Sequence, residues 1–338
     1  MSGAVLEVRG LSKRFPVGGA LHRSRVHAVD DVSFALEPGR ITALAGESGS
    51  GKSTVARLLV KLYEPSEGSV LFDGRDIAGE RRRRDVLAYR SQVQMIFQDP
   101  FGSLNPVKTI RHHIARPLRI HGVVPGRGVD RRVLELLDTV GLVPPEHIAA
   151  KYPHEISGGQ RQRVAIARAL AVEPRVVIAD EPISMLDVSI RIGILNLMAD
   201  LKTKLGVSFL YVTHDLASAR YVADDLLVMY AGHIVEQGPV DSVLGEPLHP
   251  YTELLLASVP DAHAGERERI EIHRGGRAVA VDPKPGCRFV DRCPIAIDVC
   301  RRATPPLVAA RAGHAARCHV TAPSTDHIRE ERDVQPIR

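Results

Sequence analysis

The sequence predicts an α/β fold organised around a parallel sheet. A glycine-rich loop at residues 46–53 stands between an apolar run and a helical pattern. Two further apolar runs, residues 176–179 and 209–212, end in acidic or histidine residues, and helical patterning separates the runs. Strands that alternate with helices form a parallel sheet, with the ligand at the carboxyl ends of the strands.

Leu6 and Val8 alternate with polar neighbours, as do Val32, Phe34 and Leu36 before the turn Glu37-Pro38-Gly39. The opening segment therefore reads as β-strand. Residues 41–45 form the next apolar run. Gly46-Glu47-Ser48-Gly49-Ser50-Gly51-Lys52-Ser53 follows and fits G-x-x-x-x-G-K-[ST] at every fixed position, ahead of Val55, Leu58, Leu59 and Leu62 at helical spacing. A strand that feeds such a turn into a helix aims backbone N–H groups and the positive end of a helix dipole at one point, which suits a phosphate chain. Lys52 would reach the terminal phosphates and the Ser53 hydroxyl would ligate Mg²⁺. A merely flexible Gly/Ser loop would require neither the strand nor the helix. The chain is expected to bind a nucleoside triphosphate.

Helical patterning at about residues 98–152 includes Val133, Leu134, Leu136, Leu137 and Val140. Residues 226–229, a turn at Gly232, and Ile234-Val235 read as a β-hairpin. The texture changes near residues 239–250: a helical pattern at 251–258 gives way to a charged stretch at 261–277 and then to a proline-rich segment holding the cysteines.

The 338 residues suffice for one large domain or two ordinary ones. Hydrophobic residues at 44% and charged residues at 25% are the balance of a soluble globular protein. No apolar stretch approaches the ~20 residues that span a bilayer, and the first ten residues lack the apolar core of a signal peptide. The chain is expected to stay in the cytosol, where it can dock on a membrane protein. The net charge of +5 is a weak hint of a polyanionic partner. The one dense basic run, Arg81-Arg82-Arg83-Arg84, reads as a solvated loop or helix face, since aromatics are only 4% and no stacking platform is visible. Nucleic acid is not an expected partner.

Val176-Val177-Ile178-Ala179-Asp180-Glu181 is an apolar strand that ends in two carboxylates. Taken alone, two acids at a strand end read equally as a plain strand terminus. Beside a phosphate loop, Asp180 is placed to hold Mg²⁺ through water, and Glu181 to orient or deprotonate an attacking water. Ser157-Gly158-Gly159-Gln160 opens another helix-forming run, with Ser157 as the cap and glycines that admit an anion. Two phosphate-binding helix N-termini do not readily meet on one nucleotide within one chain. A head-to-tail pair of chains would let each complete the other's site.

In order, the phosphate loop, Phe97-Gln98-Asp99, Ile156-Ser157-Gly158-Gly159-Gln160, Asp180-Glu181, Ser184-Met185-Leu186-Asp187 and Thr213-His214-Asp215 closely resemble the ATPase subunits of ABC transporters, over about residues 5–240. The resemblance implies a phosphate-loop ABC ATPase domain with a parallel core sheet, an N-terminal antiparallel β subdomain and a helical subdomain at about residues 98–170. It implies ATP and Mg²⁺ as ligands, with residues 46–53 and Thr54 around the phosphates and Ser53, Gln98 and Asp180 around the metal. By the same resemblance Gln98 also contacts the transmembrane partner, Glu181 and His214 are catalytic, and Phe15 stacks on adenine. Ser157, Gly159, Gln160 and Asp187 would serve a nucleotide shared across a dimer. Taken alone, His214 reads as a structural histidine and Phe15 equally as core. Ile156 replaces the family's usual Leu, and Met185 replaces a usual Ala in a loop expected to cross the dimer. With Glu181, Asp187 and His214 in place, the site is expected to hydrolyse ATP.

His249-Pro250-Tyr251-Thr252, Gly286-Cys287-Arg288-Phe289 and Arg292-Cys293-Pro294 resemble the C-terminal extension of the oligopeptide/dipeptide importer subfamily, and residues 98–106 fit it as well. The insertion between Phe15 and Val29 leans toward the second of that subfamily's ATPase subunits. The implied arrangement is an ABC domain at 1–245, an extension at 246–322 and a disordered tail at 323–338. The implied partners are a second ATPase subunit in a head-to-tail heterodimer, two transmembrane permease subunits and a solute-binding protein. The implied location is the cytoplasmic face of the membrane, and the implied work is import of di- and oligopeptides.

Cys287, Cys293, Cys300 and Cys318 follow C-x5-C-x6-C-x17-C, without the tight pairs of a zinc ribbon. In a cytosolic protein such clustering points to metal rather than disulfides. Four thiolates can hold a 4Fe–4S cluster, and members of the subfamily carry one here. Zinc and free buried thiols stay open. One rival class is a soluble ABC-type ATPase acting on nucleic acid or ribosomes, which would bring tandem domains, zinc-type cysteine pairs or long coiled coils. A non-hydrolysing regulatory subunit is opposed by the intact Glu181.

Overall fold

The computed structural model describes residues 3–18, 24–77, 79, 82–258 and 279–322. The charged stretch at 261–277 and the tail at 323–338 lie outside the described residues. Two long strands, β1 (Leu6–Val17) and β2 (Ser24–Leu36), come first, then β3 (Ile41–Ala45), the phosphate loop and α1 (Lys52–Leu59). β4 (Glu67–Phe72) and β5 (Arg75–Asp76) complete an antiparallel sheet in the order β2-β1-β4-β5. After α2 (Arg83–Gln92) and β6 (Val93–Ile96) the chain turns helical, through α3 (Pro100–Ser103), α4 (Ile110–His121), α5 (Val129–Thr139), α6 (Pro145–Ala150) and α7 (Gly158–Leu170). Then β7 (Val176–Asp180), α8 (Val188–Leu205), β8 (Ser208–Thr213) and α9 (Leu216–Val222) alternate. The hairpin β9 (Asp225–Tyr230) and β10 (His233–Pro239) follows, then α10 (Val240–Gly245), α11 (Pro250–Ala257), β11 (Val308–Arg311) and β12 (His314–Ala316).

Among the described residues the second sheet has the order β11-β12-β10-β9-β3-β8-β7-β6. β9, β3, β8, β7 and β6 run parallel, as the apolar runs of β3, β7 and β8 predict. Each central strand divides its side chains between two cores. Ile41, Ala43, Phe209, Tyr211, Val177 and Ala179 face the helical side; Leu44, Leu210, Val212, Val176 and Ile178 face α1 and the antiparallel sheet. A sheet buried on both faces accounts for runs without polar alternation. The expected helix through Leu62 stops earlier: Lys61 takes a left-handed conformation (φ 55°) and Leu62 is exposed. Arg82, Arg83 and Arg84 lie exposed at the start of α2, a solvated face.

The chain beyond residue 245 folds back on the sheet. β12 pairs antiparallel with β10, Glu236 opposite Ala316, and β11 adds the outer edge. Glu236, fully buried, fastens this junction. Its carboxylate accepts from the Leu248 and His249 N–H groups at 2.7 and 2.9 Å and from the Thr252 hydroxyl at 2.5 Å, and it lies 2.7 Å from His314 Nε2. A buried carboxylate is tolerable only when its lone pairs are satisfied in this way.

His249 caps α11, its Nδ1 accepting from the Tyr251 N–H at 3.1 Å. Burial pushes its pKa down to about 3, so the ring is neutral in the fold. The unfolded ring gains its proton near pH 6.5, so the stability linked to this group is complete above that pH and is lost as pH falls towards about 3. Urea unfolding at about pH 7 and pH 5 should show wild type losing ~2 kcal/mol more than His249→Asn, which keeps a capping oxygen but has no proton to gain.

Candidate functional site

The loop between β3 and α1 is shaped by positions where no side chain fits. Gly51, the N-cap of α1, has φ 112°, and a Cβ there would lie 2.1 Å from the Ala28 carbonyl oxygen. A Cβ on Gly46 would lie 2.2 Å from the Met229 oxygen. No side chain caps α1, so its first amides are left for an anion. Ser48 and Gly49 are exposed at the tip, and the Ser50 carbonyl accepts from the Gly232 N–H at 2.9 Å. Thr54 sits one turn in, its N–H donating to the Gly51 carbonyl at 3.0 Å. The buried Lys52 ammonium donates to the carbonyls of Gly46 at 2.7 Å and Glu47 at 2.9 Å. Burial lowers its pKa against the opposing pull of Glu181, Asp180 and Glu47.

The carboxyl end of β7 delivers two acids, and that of β8 delivers His214. Asp180 is buried, with its carboxyl pKa raised by desolvation, and its Oδ1 accepts from the Ser53 hydroxyl at 3.1 Å. Glu181, one residue on, is left-handed at φ 46° with its N–H on the Val212 carbonyl. Its Oε2 accepts from Gln98 Nε2 at 2.9 Å, and Oε1 lies 3.3 Å from His214 Nδ1. A left-handed glutamate costs on the order of 1 kcal/mol, and such strain is found where a side chain must be aimed. Lys52, Ser53, Gln98, Asp180, Glu181 and His214, scattered over the sequence, thus converge at one sheet edge. One carboxylate beside one hydroxyl is the donor set for Mg²⁺ that arrives with phosphate oxygens and keeps its waters.

The description "ABC transporter" belongs to a family model that matches residues 29–184, and "oligopeptide/dipeptide transporter, C-terminal region" to one that matches residues 235–300. The oligopeptide transport ATP-binding protein AppF of Bacillus subtilis is 42% identical over 322 residues, covering 94% of this chain and 97% of AppF. This chain belongs to the ATP-binding proteins of ABC transporters. The glutathione import ATP-binding protein GsiA of Escherichia coli is 51% identical over 76% of this chain, which spans 41% of GsiA. Among solved structures, the dimeric ATP-binding cassette MJ0796, in a post-hydrolysis state bound to ADP and phosphate, matches with TM-score 0.62 and 29% identity, covering 70% of this chain and 98% of that one. The rival reading, an ATPase that works on nucleic acid or ribosomes, finds no support in these likenesses.

Other expected residues of this ABC protein are bonded elsewhere. Ser157 and Gln160 cap each other at the start of α7, with the Gln160 N–H on Ser157 Oγ at 3.3 Å and the Ser157 N–H on Gln160 Oε1 at 3.0 Å. Gly159 packs on α8, where a Cβ would come within 2.6 Å of Ile190 Cγ2. Asp187 is exposed at the N-cap of α8. Among the described residues no hydrogen bond or ion pair joins any of these to the phosphate loop. Phe15 meets Tyr63 edge-on at 5.4 Å, with Lys13 Nζ 5.2 Å from its ring centre.

The four cysteines lie in the C-terminal segment. Cys287, Cys293, Cys300 and Cys318 are free thiols of one loop-rich segment, and the Cys287 N–H donates to the Cys300 carbonyl at 2.7 Å. Yet among the described residues no group of three or more His, Cys, Asp or Glu is placed to hold a metal ion. Burial raises the Cys287 thiol to about 11 and lifts Cys293 as well. Cys287 and Cys293 pack against the core as small apolar groups.

Two residues at the loop carried no expected role. The Glu47 N–H donates to the Tyr251 hydroxyl at 2.8 Å, and Arg292 grips the Glu47 carboxylate with two bonds, at 3.0 and 2.9 Å. Their only signal in the sequence was membership of the His249-Pro250-Tyr251-Thr252 and Arg292-Cys293-Pro294 motifs.

The glycines make a contrast that can be measured. Gly51→Ala should cost about 2 kcal/mol or more, since strain and a backbone clash add. Gly39→Ala, also left-handed (φ 64°) but with open space, should cost about 1 kcal/mol. Equal costs in chemical denaturation would count against the close approach at Gly51.

Proposed function

We propose that this chain is the ATP-hydrolysing subunit of an ABC importer for di- and oligopeptides, with Glu181 as the group that activates water. One observation carries the assignment: the Glu181 carboxylate is held between Gln98 and His214, beside Lys52, Ser53 and Asp180. In this reading residues 46–53, with Thr54, surround the phosphates, which take the loop amides that have no internal partner, and Lys52 swings from the Gly46 and Glu47 carbonyls to the terminal ones. Ser53 and Asp180 hold Mg²⁺, with Gln98 near it, and His214 steadies the γ-phosphate. Phe15 stacks on the base.

Ser157, Gly159, Gln160 and Asp187 act on the nucleotide of a second ATPase subunit, head to tail, which accords with their making no hydrogen bond or ion pair to this chain's own loop among the described residues. Exposed Met185, Val188 and Ile192 beside Asp187 suit a face that closes on such a partner. Closure around ATP and opening after hydrolysis would pass to two permease subunits supplied by a solute-binding protein, with this chain on the cytoplasmic face. We take residues 1–245 as the motor and 246–322 as the extension typical of peptide importers. Among the described residues no helix is long and apolar enough to cross a membrane.

Glu181→Gln should keep MgATP binding, lower turnover about 100-fold or more and abolish peptide uptake by the assembled transporter. Unchanged turnover would sink the assignment.

We further infer that the four thiols close on a 4Fe–4S cluster only when it is supplied, since ligation needs thiolates and is coupled to local folding. Purified protein should then carry iron and acid-labile sulfide, both lost in Cys287→Ser. Bound zinc, or no metal after reconstitution under reducing conditions, would overturn this.

A further inference from the structure

Glu47 stands at the second position of the phosphate loop, where it brings a negative charge to the place that must receive a polyanion. All of its polar groups are taken. The N–H is on Tyr251, the carbonyl on Lys52, and both carboxylate oxygens on Arg292. Arg292 lies 245 positions away in the chain. Its side chain is only 10% exposed, while that of Glu47 is 33% exposed. The guanidinium sits 5.6 Å from the ring centres of both Tyr230 and Phe289, and Tyr251 packs on the same two rings at 4.6 and 5.6 Å. This aromatic seat fixes the guanidinium before any ligand arrives, and a planar fork suits a carboxylate as an ammonium does not. Three carboxylates surround the loop: Glu47, Asp180 and Glu181. Within the loop Lys52 is the cation, and its ammonium is already engaged by the Gly46 and Glu47 carbonyls.

We propose that Arg292 is a positioning residue for nucleotide binding: it neutralises and pins Glu47, so that the phosphate loop can take up a triphosphate. The C-terminal extension thereby becomes part of the ATP site. Without Arg292 the Glu47 carboxylate would stand unpaired in the loop and repel the phosphates, at short range and in poorly screened surroundings. This inference rests on the reading of residues 46–53 as the ATP site.

The test is titration of the full chain with MgATP in a Glu181→Gln background, where hydrolysis does not intervene. Arg292→Ala should weaken binding about tenfold, the factor given by about 1.4 kcal/mol. Arg292→Lys should fall between the two. Adding Glu47→Gln to Arg292→Ala should recover most of the lost affinity, because the repelling charge is gone; a purely structural Arg292 would show no such recovery. Glu47→Gln alone, which leaves a fixed cation facing the phosphates, should bind MgATP more tightly, and this variant keeps the test open if Arg292→Ala does not fold. Parent-like binding by Arg292→Ala, no recovery in the double variant, or weaker binding by Glu47→Gln alone would each overturn the proposal. A parent that binds no MgATP would overturn the nucleotide reading itself, and with it the role of Arg292.

Discussion

A loop that offers its amides to an anion cannot use them to hold its own shape, and the rest of this structure follows from that constraint. Residues 46–51 have no side-chain cap on the helix they open. They are held from outside, by Ala28 and Met229 pressed against two glycines, by Gly232 on the Ser50 carbonyl, and by Tyr251 and Arg292 on Glu47. Four separate stretches of chain thus supply the rigidity that the loop gives up. Preorganisation of this kind places the ordering cost in folding rather than in binding.

The same demand explains the sheet. A parallel core buried on both faces fixes β3, β7 and β8 in register, which brings Ser53, Asp180, Glu181 and His214 to one edge. The antiparallel β10 then gives the C-terminal segment an edge to join, and buried Glu236 fastens the two through four polar partners. The extension is therefore built on the motor's own sheet, close enough for Tyr251 and Arg292 to touch the loop.

Much of this was legible in advance. The helices and strands around the loop announce themselves by period, and the glycines at 46 and 51 are required by contacts that only glycine permits. Leu62 misled because a left-handed Lys61 ends the helix, and a single dihedral leaves no mark on a hydrophobic pattern. The cysteines are a different case. Their spacing reports which ligands are available, but ligation is coupled to local folding, which spacing does not encode.

By itself the sequence determined the motor: which strands carry carboxylates at their tips, which turn is free of side chains, and which helix starts where a phosphate would lie. These are local properties, and local spacing encodes them. That Glu181 is clasped by Gln98 and His214, that a carboxylate at 236 anchors the last strands, and that Arg292 lands on Glu47 were decided by tertiary structure alone. Contacts between segments tens to hundreds of residues apart have no period and no fixed spacing, and they exist only once both segments have packed on the same sheet.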